Sequence, residues 1–96
     1  MKRDEIIKTL KEADLRAHGA TQAALFGSLA RDEQLSDSDI DILVDLDPTI
    51  VRTMFDYAGL KDYVVSLFQG PVDVIDREAL KPRLRPRAAA DAIYAF

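Results

Sequence analysis

Cysteine is absent from this chain and histidine occurs once, at position 18. Without thiols there is no disulfide, no thiol nucleophile and no Cys-ligated zinc, and a lone His18 cannot build a histidine metal cluster. Long apolar runs are missing as well. The N-terminal MKRDEIIKTLKEADL carries both charge signs, unlike a secretory apolar core, and no stretch approaches the roughly 20 residues needed to cross a bilayer. A cytoplasmic location is expected. Nor is there an excess of positive charge: 13 basic residues stand against 17 acidic ones, a formal net charge of −4, so extended nucleic-acid binding is disfavoured. What remains, 96 residues with 48% hydrophobic and 31% charged, suits one globular domain spanning residues 1–96 with a modest core and no repeat or linker.

The most informative stretch is AALFGSLARDEQLSDSDIDILVDLD, residues 23–47. In a strand, alternate residues share a face. Ile40, Ile42, Val44 and Leu46 then form an unbroken apolar side, while Asp39, Asp41 and Asp45, with Leu43 among them, form the other. A helix would scatter the same apolar residues and turn Asp39 and Asp41 nearly opposite ways. The strand reading therefore wins, and it sets two carboxylates roughly 7 Å apart on one side. Paired hard-oxygen ligands suit Mg²⁺, which can neutralise the attacking and leaving oxygens of phosphoryl or nucleotidyl transfer; metal pairs in such sites lie about 3.5 to 4 Å apart. Asp39 and Asp41 are accordingly the candidate metal ligands. Asp45 and Asp47, which run into Pro48, are expected to be solvated.

Upstream, Gly27-Ser28 follows the apolar run Ala23 to Phe26 and precedes Leu29-Ala30-Arg31, which predicts a strand end and a helix start. A glycine there admits a phosphate close to the backbone, and the exposed N–H groups with the Ser28 hydroxyl would bind it. Arg31 can supply charge. Taken alone, the pair reads as a turn glycine and an ordinary serine cap; its coupling to Asp-x-Asp favours the anion. Ser36, Asp37 and Ser38 hold the chain that delivers Asp39, with Asp37 read as loop, and Ser38 joins Gly27, Ser28 and Arg31 in the candidate nucleotide-binding set.

Elsewhere the spacing of Ile6, Leu10, Ala13 and Ala17 predicts a helix over 4–17 stopped by Gly19, with His18 at its end and given no catalytic role. Residues 21–26 read as a strand apolar on both faces and hence central. Residues 50–68 read as helix, with one stripe of Val51, Met54, Phe55 and Ala58, a second of Leu60, Val64, Leu67 and Phe68, and a candidate break at Gly59. Gly70-Pro71 opens a strand over 72–75. Its Asp73 is either an edge residue or, if this strand lies beside the Asp39-Asp41 strand, a further ligand. Asp76 can cap the turn after that strand. The basic run Arg77 to Arg87 is equally a solvated face or a patch for a phosphate or acidic partner. Ala89, Ile93 and Phe96 fit a helix stripe, and residues 93–96 fit a short strand as well.

With these residues in place, LFGSLARDEQLSDSDIDILVDLD resembles the DNA polymerase beta-like nucleotidyltransferase superfamily, in which Gly-Ser is followed after about ten residues by Asp-x-Asp on a strand. The resemblance is nearest to the minimal nucleotidyltransferases, which resemble antitoxins encoded beside HEPN-domain ribonuclease toxins. Gly70-Pro71-Val72-Asp73-Val74 matches the third-carboxylate strand, so the resemblance implies that Asp39, Asp41 and Asp73 are catalytic and metal-ligating, with Asp73 as base. Asp32 departs from the glycine common after the arginine. The implied fold is α/β, a small mixed sheet with helices packed mainly on one face. The implied activity is Mg²⁺-dependent transfer of AMP from ATP to a hydroxyl, such as that of a tyrosine, on a HEPN toxin, with two Mg²⁺ ions. The alternative is a catalytically silent antitoxin, a binding module that neutralises its partner by occlusion.

Overall fold

A computed structural model describes residues 2–27, 30 and 40–96 of the chain. Among these residues the chain runs through α1 (Arg3–Glu12), β1 (Ala20–Phe26), β2 (Ile40–Leu46), α2 (Met54–Ser66), β3 (Val72–Asp76), a 3₁₀ turn (Arg77–Ala79), α3 (Arg85–Asp91) and β4 (Ile93–Tyr94). The four strands form one sheet in the order β3-β2-β1-β4. β2 pairs antiparallel with β1 and parallel with β3, and β4 pairs antiparallel with β1. The sheet is mixed, as expected, and β1 is central.

One face of the sheet carries the core. Ile40, Ile42 and Val44 of β2 bury there with Ala23 and Leu25 of β1 and Val74 of β3, in one cluster with Ile6 and Leu10 of α1 and Leu60 and Val64 of α2. Burying each large aliphatic side chain is worth roughly 1.5–3 kcal/mol. Strict alternation in β1 would turn Thr21 inward with Ala23 and Leu25. A register shift between Ala20 and Gln22 breaks that parity. Ala20 becomes fully buried, and Thr21 stays exposed with its hydroxyl donating to the Asp45 carbonyl at 3.2 Å. The extra residue of a bulge lets one strand change its inward set without changing direction.

The helices depart from their predicted bounds for local reasons. α1 ends at Glu12, with Ala13 extended. The chain then turns through Leu15, which is completely buried, so the segment predicted as a final helical turn instead tucks a leucine under the sheet. Asp14 N–H donates to the Tyr63 hydroxyl at 3.1 Å, and His18 stacks on the Tyr63 ring with centroids 3.7 Å apart. His18 thus joins α1 to α2. Gly19 comes next at φ +105°, where an added Cβ would collide with the Val51 side chain.

α2 begins at Met54, not at residue 50, because Thr53 and Asp56 form a capping box. The Thr53 hydroxyl accepts from Asp56 N–H at 3.2 Å, and the Asp56 carboxylate accepts from Thr53 N–H at 3.1 Å, which satisfies donors a helix start leaves open. The stripe predicted from Val51, Met54, Phe55 and Ala58 is not the inward one: Met54 and Phe55 are 87% and 89% exposed. Leu60 and Val64 carry the burial, and the helix continues through Gly59. In the C-terminal segment the strand alternative holds, since Ile93 and Tyr94 pair with Leu25 and Ala24. Pro86 falls in the first turn of α3, where a missing N–H costs nothing.

Candidate active site

The opposite face of the sheet gathers the polar chemistry. Because β2 and β3 run parallel in register, Asp41 lies directly beside Asp73. Register partners share a face, and neighbouring strands stand about 4.8 Å apart. The pairing stems from sequence: Ile40, Ile42 and Val44 must face the core as Val74 does, which leaves the aspartates between them on the other side. Ile40 N–H donates to the Pro71 carbonyl at 3.1 Å, fixing the start of the pairing. Asp41 is half-buried and Asp73 exposed.

Gly27 closes the site from β1. Phe26 is the register partner of Asp41, and one residue on Gly27 turns at φ +77°. A Cβ built there would lie 2.5 Å from Asp41 Oδ2 and 3.3 Å from its Cγ. Glycine is therefore needed twice, for its left-handed backbone and for the space the Asp41 carboxylate fills. Beyond it, Arg3 Nη1 donates to the carbonyl of buried Ala30 at 3.2 Å, anchoring the chain past Gly27 to the first turn of α1.

Of the predicted site residues, the structure thus brings together Gly27, Asp41 and Asp73. Ser28, Arg31, Ser38 and Asp39 lie outside the described residues, as do Asp32, Ser36 and Asp37. Among the described residues no three His, Cys, Asp or Glu side chains converge. The two carboxylates that do stand together are hard oxygen donors, a donor set suited to Mg²⁺.

Both aspartates expected to be solvated are engaged. Asp45 is paired with Arg77, whose Nε donates to Oδ1 at 2.6 Å, with the Asp45 side chain only 14% exposed. That hydrogen bond, then the opposite charge of Asp45, raises the Arg77 guanidinium pKa further against the opposing effect of burial. The pair sits two residues along from Leu43 and Ile75 on the acidic face, so one cation of the basic run is used within the fold. Asp47 closes a turn: its Oδ1 accepts from the Thr49 hydroxyl at 2.6 Å and from Thr49 N–H at 2.9 Å. Asp76 caps the 3₁₀ turn as expected, accepting from Glu78 N–H at 3.0 Å.

Tyr57, to which the sequence drew no attention, supports β3 from the helix side. Its hydroxyl accepts from Asp76 N–H at 3.2 Å. Burial raises its pKa, and the negative charges of Asp76 and Asp73 add to that, while the Asp76 hydrogen bond works the other way. Tyr57 therefore stays protonated at neutral pH. It stands at helical spacing from Leu60 and Val64 on the inward stripe of α2, but only the fold shows that its hydroxyl meets the end of β3.

This arrangement coincides with a known family. The nucleotidyltransferase domain matches residues 3–95. A protein adenylyltransferase, MntA, of Thermococcus cleftensis is 30% identical over 91 residues, 94% of this chain and 90% of its own. The solved structure of a putative minimal nucleotidyltransferase superposes with a TM-score of 0.75 at 35% identity, covering 97% of this chain and 95% of the other. A toxin-antitoxin crystal structure with AMP-PNP shares the fold, with a TM-score of 0.70 at 23% identity over all of this chain and 73% of that one. With an in-register aspartate pair closed by a glycine on a mixed sheet, and a match over nearly its whole length, the chain belongs to the nucleotidyltransferase domain family.

Proposed function

We propose that residues 1–96 act as one minimal nucleotidyltransferase domain that transfers AMP from ATP, with Mg²⁺, to a hydroxyl on a partner toxin of the HEPN type and thereby silences it. The observation that carries this reading is the register pairing of Asp41 with Asp73 beside Gly27. Support for the protein acceptor comes from the relative named a protein adenylyltransferase, and support for a toxin partner from the toxin-antitoxin structure that shares the fold.

In this mechanism Gly27, Ser28, Arg31 and Ser38 position the triphosphate, and Asp39, Asp41 and Asp73 hold two Mg²⁺ ions. Asp73, on the exposed outer strand, also takes the proton from the acceptor hydroxyl. The acceptor oxygen forms a bond to the α-phosphorus, the bond from that phosphorus to the bridging oxygen breaks, and pyrophosphate leaves. When bound, Mg²⁺ supplies neutralisation of the charge on the attacking and leaving oxygens. Tyr57 holds the end of β3, and with it the direction of Asp73.

A second reading, silencing by occlusion alone, is favoured by one observation: Met54 and Phe55, adjacent at the start of α2, stand almost fully exposed, apolar side chains of the kind that protein partners cover. One experiment separates the two. The wild type and an Asp39→Asn, Asp41→Asn double variant are incubated with labelled ATP, Mg²⁺ and the toxin encoded beside the gene. Transfer of a nucleotidyl mass and silencing by the wild type alone support catalysis; equal silencing by both, with no label transferred, establishes occlusion.

A further inference from the structure

Arg3 is a charged residue on the inward stripe of α1. Positions three and seven residues on share its side of the helix, and these are Ile6 and Leu10, both fully buried. Its charged neighbours in the first turn, Asp4 and Glu5, are exposed, whereas Arg3 is half-buried. A long cationic side chain can lay its stem on apolar surface provided its head finds an acceptor. Here Nη1 donates to the Ala30 carbonyl at 3.2 Å, across 27 residues of sequence.

Ala30 is engaged twice, because it is also 6% exposed and shares the core cluster with Ile6. Three residues earlier, Gly27 is fixed as well: it follows Phe26, the register partner of Asp41, and turns at φ +77° against the Asp41 carboxylate. Ser28 falls between these two fixed points, and Arg31 directly follows the second.

We propose that Arg3 is a positioning residue for the triphosphate, acting through the Ala30 carbonyl on the segment that carries Ser28 and Arg31. The inference rests on the nucleotidyltransferase reading and adds a residue that itself touches no ligand. Its physical ground is the cost of ordering a loop, which is subtracted from affinity unless the loop is arranged before the ligand arrives. Three residues span at most about 10 Å, so a tether at Ala30 leaves the segment beyond Gly27 little freedom to lose. Arginine suits the task, being always charged and carrying several donors on one rigid plane. Holding α1 to the core needs no such bond, since Ile6 and Leu10 already do it.

The test measures binding of ATP and of inorganic tripolyphosphate, each with Mg²⁺, by calorimetry at a temperature where circular dichroism shows every variant folded. Arg3→Met keeps an apolar stem and removes the donors; Arg3→Lys keeps a charged donor. Lys2→Met removes the same charge from the preceding, exposed position, whose side chain makes no capping bond. Arg3→Met should lose tenfold or more in affinity for both ligands alike, because the tether acts where the phosphates bind. Arg3→Lys should recover most of that loss, and Lys2→Met should match the wild type. In label transfer, the KM for ATP should rise with the loss of affinity while kcat holds, the pattern of an interaction missing equally from ground and transition states. If the wild type binds both ligands and Arg3→Met binds them equally well, Arg3 is a structural tether only, and the positioning role falls while the nucleotidyltransferase reading stands. A loss that Lys2→Met reproduces would be a general effect of charge and overturns the role too. If the wild type binds neither ligand, the nucleotidyltransferase reading itself fails and the positioning role fails with it.

Discussion

On the inner face of β2, Ile40, Ile42 and Val44 are 6%, 0% and 1% exposed and share a cluster with Leu10, Leu60 and Val64; on the outer face of the same strand, Asp41 stands beside Asp73 across a parallel pairing. The inner face satisfies every rule of a stable core: no polar or charged residue is buried among the described residues. The outer face breaks one, since like charges on neighbouring strands repel. A strand can hold both sets because its side-chain period of two separates them completely. Core packing fixes the register, and the register brings the carboxylates together. Stability on one side is thus the source of chemistry on the other.

If that division is sound, damage to each face should appear in a different measurement. The largest effect is expected from Asp73→Asn, which keeps shape and removes one charge. Label transfer from ATP should fall about a thousandfold, the equivalent of roughly 4 kcal/mol in the barrier. The thermal midpoint should hold or rise, because a repulsion has been relieved. A midpoint that drops as it would for a core substitution would show that the outer face is structural. Ile42→Ala is the converse. It should cost about 2–5 kcal/mol in urea unfolding, while the fraction still folded binds nucleotide with unchanged affinity.

Much of this division was legible in the sequence, because alternation in Ile40 to Leu46 is a local pattern that one strand fixes for itself. The direction of Asp73 came from the same kind of alternation in residues 72–75, the central place of β1 from its being apolar on both faces, and the mixed sheet from the family resemblance. The misread features depend on partners distant in sequence. The stripe through Met54 and Phe55 has helical spacing but lies where α2 faces away from the sheet. Asp45 looked solvated because its cation, Arg77, is 32 residues away and arrives only through the register of β2 with β3. Leu15 fell on no predicted face because α1 stops before it. Periodicity reports which residues share a side, and the fold decides what that side meets. Ser28, Arg31, Ser38 and Asp39 lie outside the described residues, so for them the sequence pattern and the family carry the assignment.

A substitution at the seam should register on both faces at once. Gly27→Ala places a Cβ against the Asp41 carboxylate and forces a non-glycine residue to φ +77°. The left-handed backbone alone costs roughly 1–2 kcal/mol, and the displaced carboxylate should weaken transfer as well. Unfolding and label transfer measured on the same preparation would sharpen the comparison. A loss in stability without any loss in transfer would mean that Asp41 does not need the space Gly27 leaves.

The smallest expected effect concerns pH and lies away from both faces, at the start of α2 and the turn before it. The backbone hydrogen bond from Arg52 N–H, at 2.9 Å, is the first cause holding the Asp56 carboxyl below its ordinary value of 3.8; the bonds with Thr53 add to it, against the opposing effect of burial. Asp47 is lowered in the same direction, first by the Thr49 hydroxyl and then by the Thr49 N–H. A carboxyl whose folded pKa lies below its unfolded one binds fewer protons when folded, so its contribution is fully present above about 3.8 and is lost as pH falls through the lowered folded value. Urea midpoints for the wild type and Asp56→Asn at pH 6 and at successive steps below pH 4 isolate the Asp56 share of this dependence. The gap between the two proteins should be widest at pH 6 and narrow toward the acid end; a gap that is constant with pH would mean that Asp56 acts at the cap through shape and not through charge.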